Sequence, residues 1–328
     1  MLNVAIVGLG GWGQRLVDSV RAPGSTKLRF THAVTRTPEK VRAFCGERDI
    51  ALSDDFALVL TDPRVGAVAL ATPHSQHADQ VAAAAKAGKH VFVEKPFTLD
   101  EAGARAAARA CREAGVVLAL GHNRRFLPAI AEMKKIIASG DLGTILHLEG
   151  NFSGNSGLRY RPGVWRASHA ESPAGGMTGM GIHIIDAFLN LAGPVAAVRC
   201  ESHRKVLEVD MDDTTSVFLR FVDGTTGYIS TLAATGRMVR VQVFGTHGWL
   251  HLLDHHILEI CDIDGRVRRV EYPKVDIERA ELEAFADAVA GTAVYPVPVE
   301  DAIHGIAVMD AAIRSAQSGF ESIAVDRP

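Results

Sequence analysis

Glu94-Lys95-Pro96 closes the apolar run Val91-Phe92-Val93, and Lys95 is the residue in the chain with the clearest chemical potential. A lysine at the carboxyl end of a buried strand is costly unless a nearby group needs a positive charge or a proton. A free lysine, with a pKa of about 10.4, is a poor base, but burial and a cationic neighbour both favour its neutral, proton-accepting form. A second candidate is His183, which follows the glycine-rich stretch Gly175-Gly176-Met177-Thr178-Gly179-Met180-Gly181 and precedes Asp186 by three positions. On a helix that spacing puts both side chains on one face. Asp186 is then expected to hold one imidazole nitrogen while the other meets a ligand bordered by Thr178 and Gly179. The alternative is a satisfied histidine on an apolar helix; the glycines before it favour the ligand.

Groups of this kind need elements that bring a reactive partner to them. The run Val4-Ala5-Ile6-Val7 passes directly into Gly8-Leu9-Gly10-Gly11-Trp12-Gly13. Continuous apolarity suits a parallel strand covered on both faces, and glycines at this spacing let backbone amides approach a pyrophosphate at a helix N-terminus. A helical stripe of Leu16, Val17 and Val20, expected to end at Pro23-Gly24, and a strand from Leu28 to Val34 complete a dinucleotide-binding unit. Gly8, Gly10, Gly11, Trp12 and Gly13 are thus cofactor-binding candidates. NAD-selective sites place an acidic residue near the end of the second strand for the ribose 2′-hydroxyl. Here that place holds Thr35-Arg36-Thr37, a set suited to a 2′-phosphate, so NADP is the expected cofactor, with NAD possible. The competing reading of Arg36 is a solvated loop arginine.

Alternation continues with a helix over 38–45, a strand over 67–71, a helix over 75–87 and the strand 91–93. A helix capped by Thr98-Leu99-Asp100-Glu101 and a strand over 116–120 close a doubly wound parallel sheet. Ala71-Thr72-Pro73 and Glu94-Lys95-Pro96 both end strands, where such sheets bind ligands, so Thr72, Pro73 and Glu94 join the cofactor candidates. His77 either touches the nicotinamide ribose or caps its helix. Beyond Gly121 the texture changes, which gives a dinucleotide-binding domain over 1–120 and a substrate-binding and oligomerisation domain over 121–328. Its helix over 128–138 precedes strands over 145–152, 214–222, 226–232, 257–262 and 267–272, followed by helices over 277–290 and 301–318. This is an α/β domain with a large, mostly antiparallel open sheet, one face on helices and the other available to a second subunit.

Composition excludes several classes. Among 328 residues, 47% are apolar, and the net charge of −3 comes from interspersed signs, so neither a nucleic-acid face nor a polybasic membrane patch is expected. No apolar run is long enough to span a bilayer, and the chain enters a strand pattern directly after Met1, which points to the cytoplasm. Cys45, Cys111, Cys200 and Cys261 lie far apart without histidines at ligand spacing; reduced thiols and no metal are expected.

Taken together, Gly8-x-Gly10-x-x-Gly13, Ala71-Thr72-Pro73, Glu94-Lys95-Pro96, Asn123-Arg124-Arg125-Phe126, Trp165-Arg166 and the Gly175-Gly176 to His183-Ile184-Ile185-Asp186 stretch resemble the Gfo/Idh/MocA family of pyridine-nucleotide oxidoreductases. The resemblance spans the chain, including Phe244-Gly245-Thr246-His247-Gly248. It implies an N-terminal Rossmann domain, a C-terminal domain whose open sheet makes a homodimer or homotetramer, and oxidation or reduction of sugars, polyols or related cyclic compounds. It also implies that Lys95 is the catalytic acid/base, with His183 assisting. Asn123 and Trp165 are then expected at the substrate, and Arg124 and Arg166 at the nicotinamide side or a substrate carboxylate, the alternative for each arginine being a surface salt bridge. Many members place an aspartate four residues before the histidine; here that position is Gly179. Two other functions stay open on the same fold: a non-catalytic NADP-binding redox sensor, and an enzyme using tightly held cofactor for net hydrolysis, elimination or isomerisation.

Overall fold

The computed structural model describes residues 1–21 and 24–326 and divides them into two compact units. Pro23, expected to help end the first helix, lies outside the described residues. The first unit runs β1 (Leu2–Val7), α1 (Gly11–Ser19), β2 (Leu28–Val34), α2 (Arg42–Gly46), β3 (Ala51–Ser53), α3 (Phe56–Thr61), β4 (Ala67–Leu70), α4 (His77–Lys86), β5 (His90–Glu94), α5 (Glu101–Ala114) and β6 (Leu118–Gly121). Its strands pair in parallel in the order β3-β2-β1-β4-β5-β6. The order reverses direction between β1 and β4, so their carboxyl ends open a crevice at the centre of the sheet. Every residue of β4 is fully buried, as expected for a central strand covered on both faces.

Two local expectations change. The start of α5 is capped by Asp100, whose carboxylate accepts from the Gly103 amide at 2.7 Å. Thr98, expected as the cap, lies two residues upstream and donates its hydroxyl to the Asp100 carbonyl at 2.7 Å. The short β3 and α3 were not anticipated, since three residues of strand carry too little periodicity to read.

The second unit carries α6 (Pro128–Ser139), β7 (Ile145–Ser153), α7 (Ile182–Ala192), β8 (Val195–His203), β9 (Thr214–Phe221), β10 (Thr226–Leu232), β11 (Met238–Gly245), β12 (Gly248–Leu253), β13 (Ile257–Asp262) and β14 (Val267–Glu271). After α8 (Ile277–Val289), α9 (Val299–Gln317) and β15 (Ile323–Ala324) complete the chain. The sheet order is β14-β13-β12-β11-β7-β10-β9-β8-β15, antiparallel except for the β7/β10 pair. β8, β11, β12 and the two-residue β15 go beyond the strands expected. Helix α7 lies close on the sheet because Gly150 leaves room: a Cβ there would stand 2.2 Å from Ile184. Helix α9 is tied to β8, where the Val195 amide donates to His304 Nε2 at 3.0 Å and the Cys200 amide to Ser315 Oγ at 2.9 Å. Across the other face, register aligns Phe218, Tyr228, Glu149, Gln242, His251 and Glu259 in one row.

The division departs from a single boundary at 121. The first unit extends to Asn123 and takes back residues 276–299. Helix α8 belongs there because its apolar stripe serves the parallel sheet: Phe285 meets Phe92 of β5 with ring centroids 6.0 Å apart, both fully buried. Among the described residues no helix is long and apolar enough to cross a membrane.

Candidate active site

In the first unit the chain leaves β1 through Gly8, whose φ of +92° is the left-handed region that glycine adopts at little cost. A Cβ on Gly8 would stand 2.5 Å from the Ala71 carbonyl oxygen, so the turn after β1 closes directly on the turn after β4. Gly13 repeats the constraint, with a Cβ position 2.1 Å from the Gly8 carbonyl, and this fixes α1 against the end of β1. Gly10 and Gly11 differ. Both are exposed and a Cβ on either would meet nothing within 4 Å, so the first amides of α1 face open space without a capping side chain. That open cradle at a helix N-terminus fits a dinucleotide pyrophosphate. At the end of β2, Thr35 is half-buried while Arg36 and Thr37 are exposed, an arrangement open to a ribose and its phosphate.

Glu94 and Lys95 sit at the end of β5. Glu94 is buried, and that burial pushes its carboxyl up to about 7, against the opposing pull of the Lys95 ammonium and the Trp12 indole N–H, while Glu278 pushes it further up. Trp12 belongs to the glycine turn, so Glu94 couples Lys95 to the wall of the dinucleotide cradle. The network continues outward through α8: Glu278 accepts from Arg15 of α1 at 3.0 Å and from Asn123 at 3.4 Å. Asn123, expected at the substrate, is buried in this unit on Glu278.

His77 is fully buried. Its Nδ1 lies 2.9 Å from the Pro96 carbonyl and its Nε2 3.2 Å from the Thr72 carbonyl, so it ties together the two motif turns that end β4 and β5. It caps no helix: α4 begins without a side-chain cap. Thr72 turns its hydroxyl to Gln80 at 2.6 Å, and Pro73 leads into the single turn His74–Gln76.

The second unit gathers a different set. Five residues, Met177–Gly181, form a π-helical turn that runs into α7 and delivers His183, which is buried. Arg124 Nη1 stands 2.8 Å from His183 Nε2. A guanidinium can only donate, so Nε2 accepts and the imidazole proton belongs on Nδ1. The same guanidinium lies over the Phe152 ring, 4.6 Å from its centroid, and the Phe152 and His183 ring centroids are 5.8 Å apart. Asp186, expected to hold His183, directs its carboxylate to Arg125 instead, at 2.9 and 3.1 Å from Nε and 2.8 Å from Nη2. Arg125 also reaches Asp301 of α9 at 2.9 Å, so this clamp anchors the segment from which Arg124 extends.

Further residues in this unit escaped the sequence reading. The turn after β12 presents Asp254, at φ +57° and paired with Arg237 at 2.7 Å, and then His255. Burial first, and then the nearby positive charge of Arg124, push the His255 imidazole down to about 4, so it is neutral near pH 7. Phe152 and His255 had no motif around them; only the fold of β7 and β12 brings them to Arg124.

Thr178, expected at the substrate, is fully buried and donates its hydroxyl to the Pro173 carbonyl. Gly179 is half-buried, and a Cβ there would meet nothing within 4 Å, so open space stands at this position. Arg166 is exposed and stacks on Trp165 with its guanidinium carbon 4.0 Å from the ring centroid. Trp165 borders a separate cavity of ≈ 420 Å³ with Val209, Glu208 and Asp210.

Comparison with known proteins identifies the family. A family model described as an oxidoreductase family with an NAD-binding Rossmann fold matches residues 2–122, and one described as the GFO/IDH/MocA C-terminal domain matches residues 130–251. The scyllo-inositol 2-dehydrogenase (NAD(+)) of Bacillus subtilis is 30% identical, over 80% of this chain and 78% of its own. Another protein of that organism, scyllo-inositol 2-dehydrogenase (NADP(+)) IolW, is 34% identical over 50% of this chain and 44% of its own. Among solved structures, a candidate NADPH-dependent oxidoreductase from Desulfitobacterium hafniense matches with a TM-score of 0.91 at 27% identity, covering 98% of this chain and 97% of that one.

Proposed function

This chain belongs to the GFO/IDH/MocA oxidoreductases, with an NAD-binding Rossmann domain, and from that premise we propose that it is an NADP-dependent dehydrogenase or reductase. Its substrate class is a secondary alcohol, or the matching ketone, of a sugar, polyol or related cyclic compound. The observation that carries the reading is the arrangement at the end of β5, where Lys95 and buried Glu94 adjoin Trp12 of the dinucleotide turn.

The amides of Gly10 and Gly11 at the start of α1 would hold the pyrophosphate, and Thr35, Arg36 and Thr37 the 2′-phosphate. The bound nicotinamide supplies the hydride acceptor or donor. Lys95 takes the hydroxyl proton during oxidation and returns it during reduction. Glu94 titrates near neutrality beside it and so sets the charge that Lys95 meets. His183, held in one tautomer by Arg124, hydrogen-bonds substrate oxygens. The two inositol dehydrogenases support the polyol class, and they differ in cofactor by their names, so the preference for NADP rests on Arg36. The open space at Gly179 admits a substrate group where a carboxylate is common in the family.

The protein is further proposed to work in the cytoplasm as a homodimer or homotetramer. Support for assembly comes from the face of the large sheet on which Phe218, 49% exposed, stands beside Tyr228 at 5.0 Å between ring centroids. The functional test follows nicotinamide absorbance with NADPH or NADP across cyclic polyols, sugars and their ketones. Turnover with at least one class is expected. Tight cofactor binding with no turnover across the panel would favour the redox-sensor role, and cofactor retained through purification but never consumed would favour net hydrolysis, elimination or isomerisation.

A further inference from the structure

A cavity of ≈ 730 Å³ opens at the amino-terminal ends of β1, β2 and β3 in the first unit, the end of the sheet opposite the glycine turn and Lys95. Asn3 borders it and Gly8 closes the other end of the same strand, about 16 Å away at about 3.3 Å per residue. Its volume lies within the range of about 300–1,000 Å³ typical of small-molecule sites. The floor is apolar, with Phe30, Cys45 and Ile50 at 7%, 2% and 6% exposure. Four arginines, Arg21, Arg29, Arg48 and Arg64, stand in the wall against one carboxylate, Asp49.

The arginines are not equivalent. Arg48 is paired with Asp18 and Glu47 at 2.8 and 3.1 Å, and Arg64 is paired with Asp62 at 2.6 Å. His32 also faces Asp62, at 3.3 Å. Hydrogen bonding to Arg64 holds the Asp62 carboxyl well below the usual carboxylate range, so that pair stays charge-balanced. Arg21 and Arg29 have no acidic partner among the described residues. Arg29 Nε donates to Asn3 Oδ1 at 2.8 Å, and Asn3 is itself fixed by donating to the Arg64 carbonyl at 2.9 Å. Arg21 Nη1 donates to the Arg48 carbonyl at 3.1 Å. Each guanidinium is therefore oriented by a neutral acceptor while most of its five donors remain for a ligand.

We propose that this cavity is a second ligand site, distinct from the dinucleotide cradle, which takes a small organic phosphate or diphosphate. The two guanidinium forks receive the anionic oxygens, in the paired geometry for which arginine is suited, and Phe30 and Ile50 receive the less polar body. The site does not depend on the proposed dehydrogenase activity.

The test is calorimetric titration of the full chain with inorganic pyrophosphate, alone and with saturating nicotinamide cofactor, which covers the phosphate-binding turn. A saturable site that persists with cofactor is expected, weakened about 10-fold or more by Arg29→Gln and by Arg21→Gln and strengthened by Asp49→Asn. All three changes are at exposed positions, so circular dichroism and the unfolding temperature should match the parent. Pyrophosphate binding that disappears when cofactor saturates the protein, or that is unchanged in both arginine variants, overturns the proposal.

Discussion

The two units assemble their share of the chemistry from different materials. In the first, backbone does most of the placing: Gly8 and Gly13 leave no room for a Cβ, Gly10 and Gly11 leave amides uncovered, and Lys95 and Glu94 follow directly from a strand end. In the second, long side chains do it. Arg124 reaches His183 across 59 positions of sequence, and Arg125 joins Asp186 and Asp301 from three separate segments. A backbone-made site is local, and a motif reports it. A network made by arginines is non-local, and its members look like ordinary surface charge until the fold is known.

The contrast can be broken at its largest point by Arg125→Met. Arg125 and Asp186 have side chains 4% and 5% exposed, so losing the guanidinium takes a close ion pair away from a buried carboxylate. Denaturant unfolding should show a loss of about 3–5 kcal/mol. A loss below about 1 kcal/mol would mean that the clamp is solvated and holds little.

Next in size is His183→Ala, which should lower kcat/KM by about 10- to 100-fold, the range of one or two lost hydrogen bonds to a reacting group. The NADPH dissociation constant should be unchanged. Weaker cofactor binding with normal turnover would reassign His183. Arg36→Ala makes the converse cut: NADPH binding should weaken about 10-fold, the worth of one charge-assisted contact, while NADH binding stays the same. Equal effects on the two cofactors would remove the 2′-phosphate from the argument.

The last effect is on stability against pH, and the units should differ in sign. Glu94 has a folded value of about 7 against an ordinary 4.5, so the native state binds that proton more tightly and its contribution falls as pH rises between those values. His255 has a folded value of about 4 against 6.5; the native state binds its proton less tightly, and its contribution rises with pH across that window. Glu94→Gln should remove the falling contribution and His255→Phe the rising one, each bounded by about 1.4 kcal/mol per pH unit. Urea unfolding between pH 4 and 7.5 measures both; slopes of the opposite sign would contradict these environments.

Much of the first unit was legible because parallel strands leave continuous apolar runs and their ends carry glycine, proline and charge. β2 and β10 match the expected ranges residue for residue. Thr98 misled because a threonine three residues before a glutamate resembles a capping box, while Asp100, nearer the helix, wins the amide. Helix α8 follows the second unit's strands in sequence yet groups with the first unit, because sequence order is silent on a chain that returns to an earlier sheet. Helical spacing points Asp186 to His183, yet a guanidinium offering several donors outcompetes a neighbouring imidazole for a carboxylate. Thr178 and His77 have the right chemistry for a ligand, but both are fully buried in the scaffold.

The central claim is that Lys95 moves the proton while the cofactor moves the hydride. Lys95→Ala tests it most directly, through steady-state turnover measured alongside NADPH affinity by fluorescence titration. The account predicts a fall in kcat of about 100-fold or more, the usual cost of a lost acid-base group, with affinity within about 3-fold of the parent. Turnover close to that of the parent would contradict it.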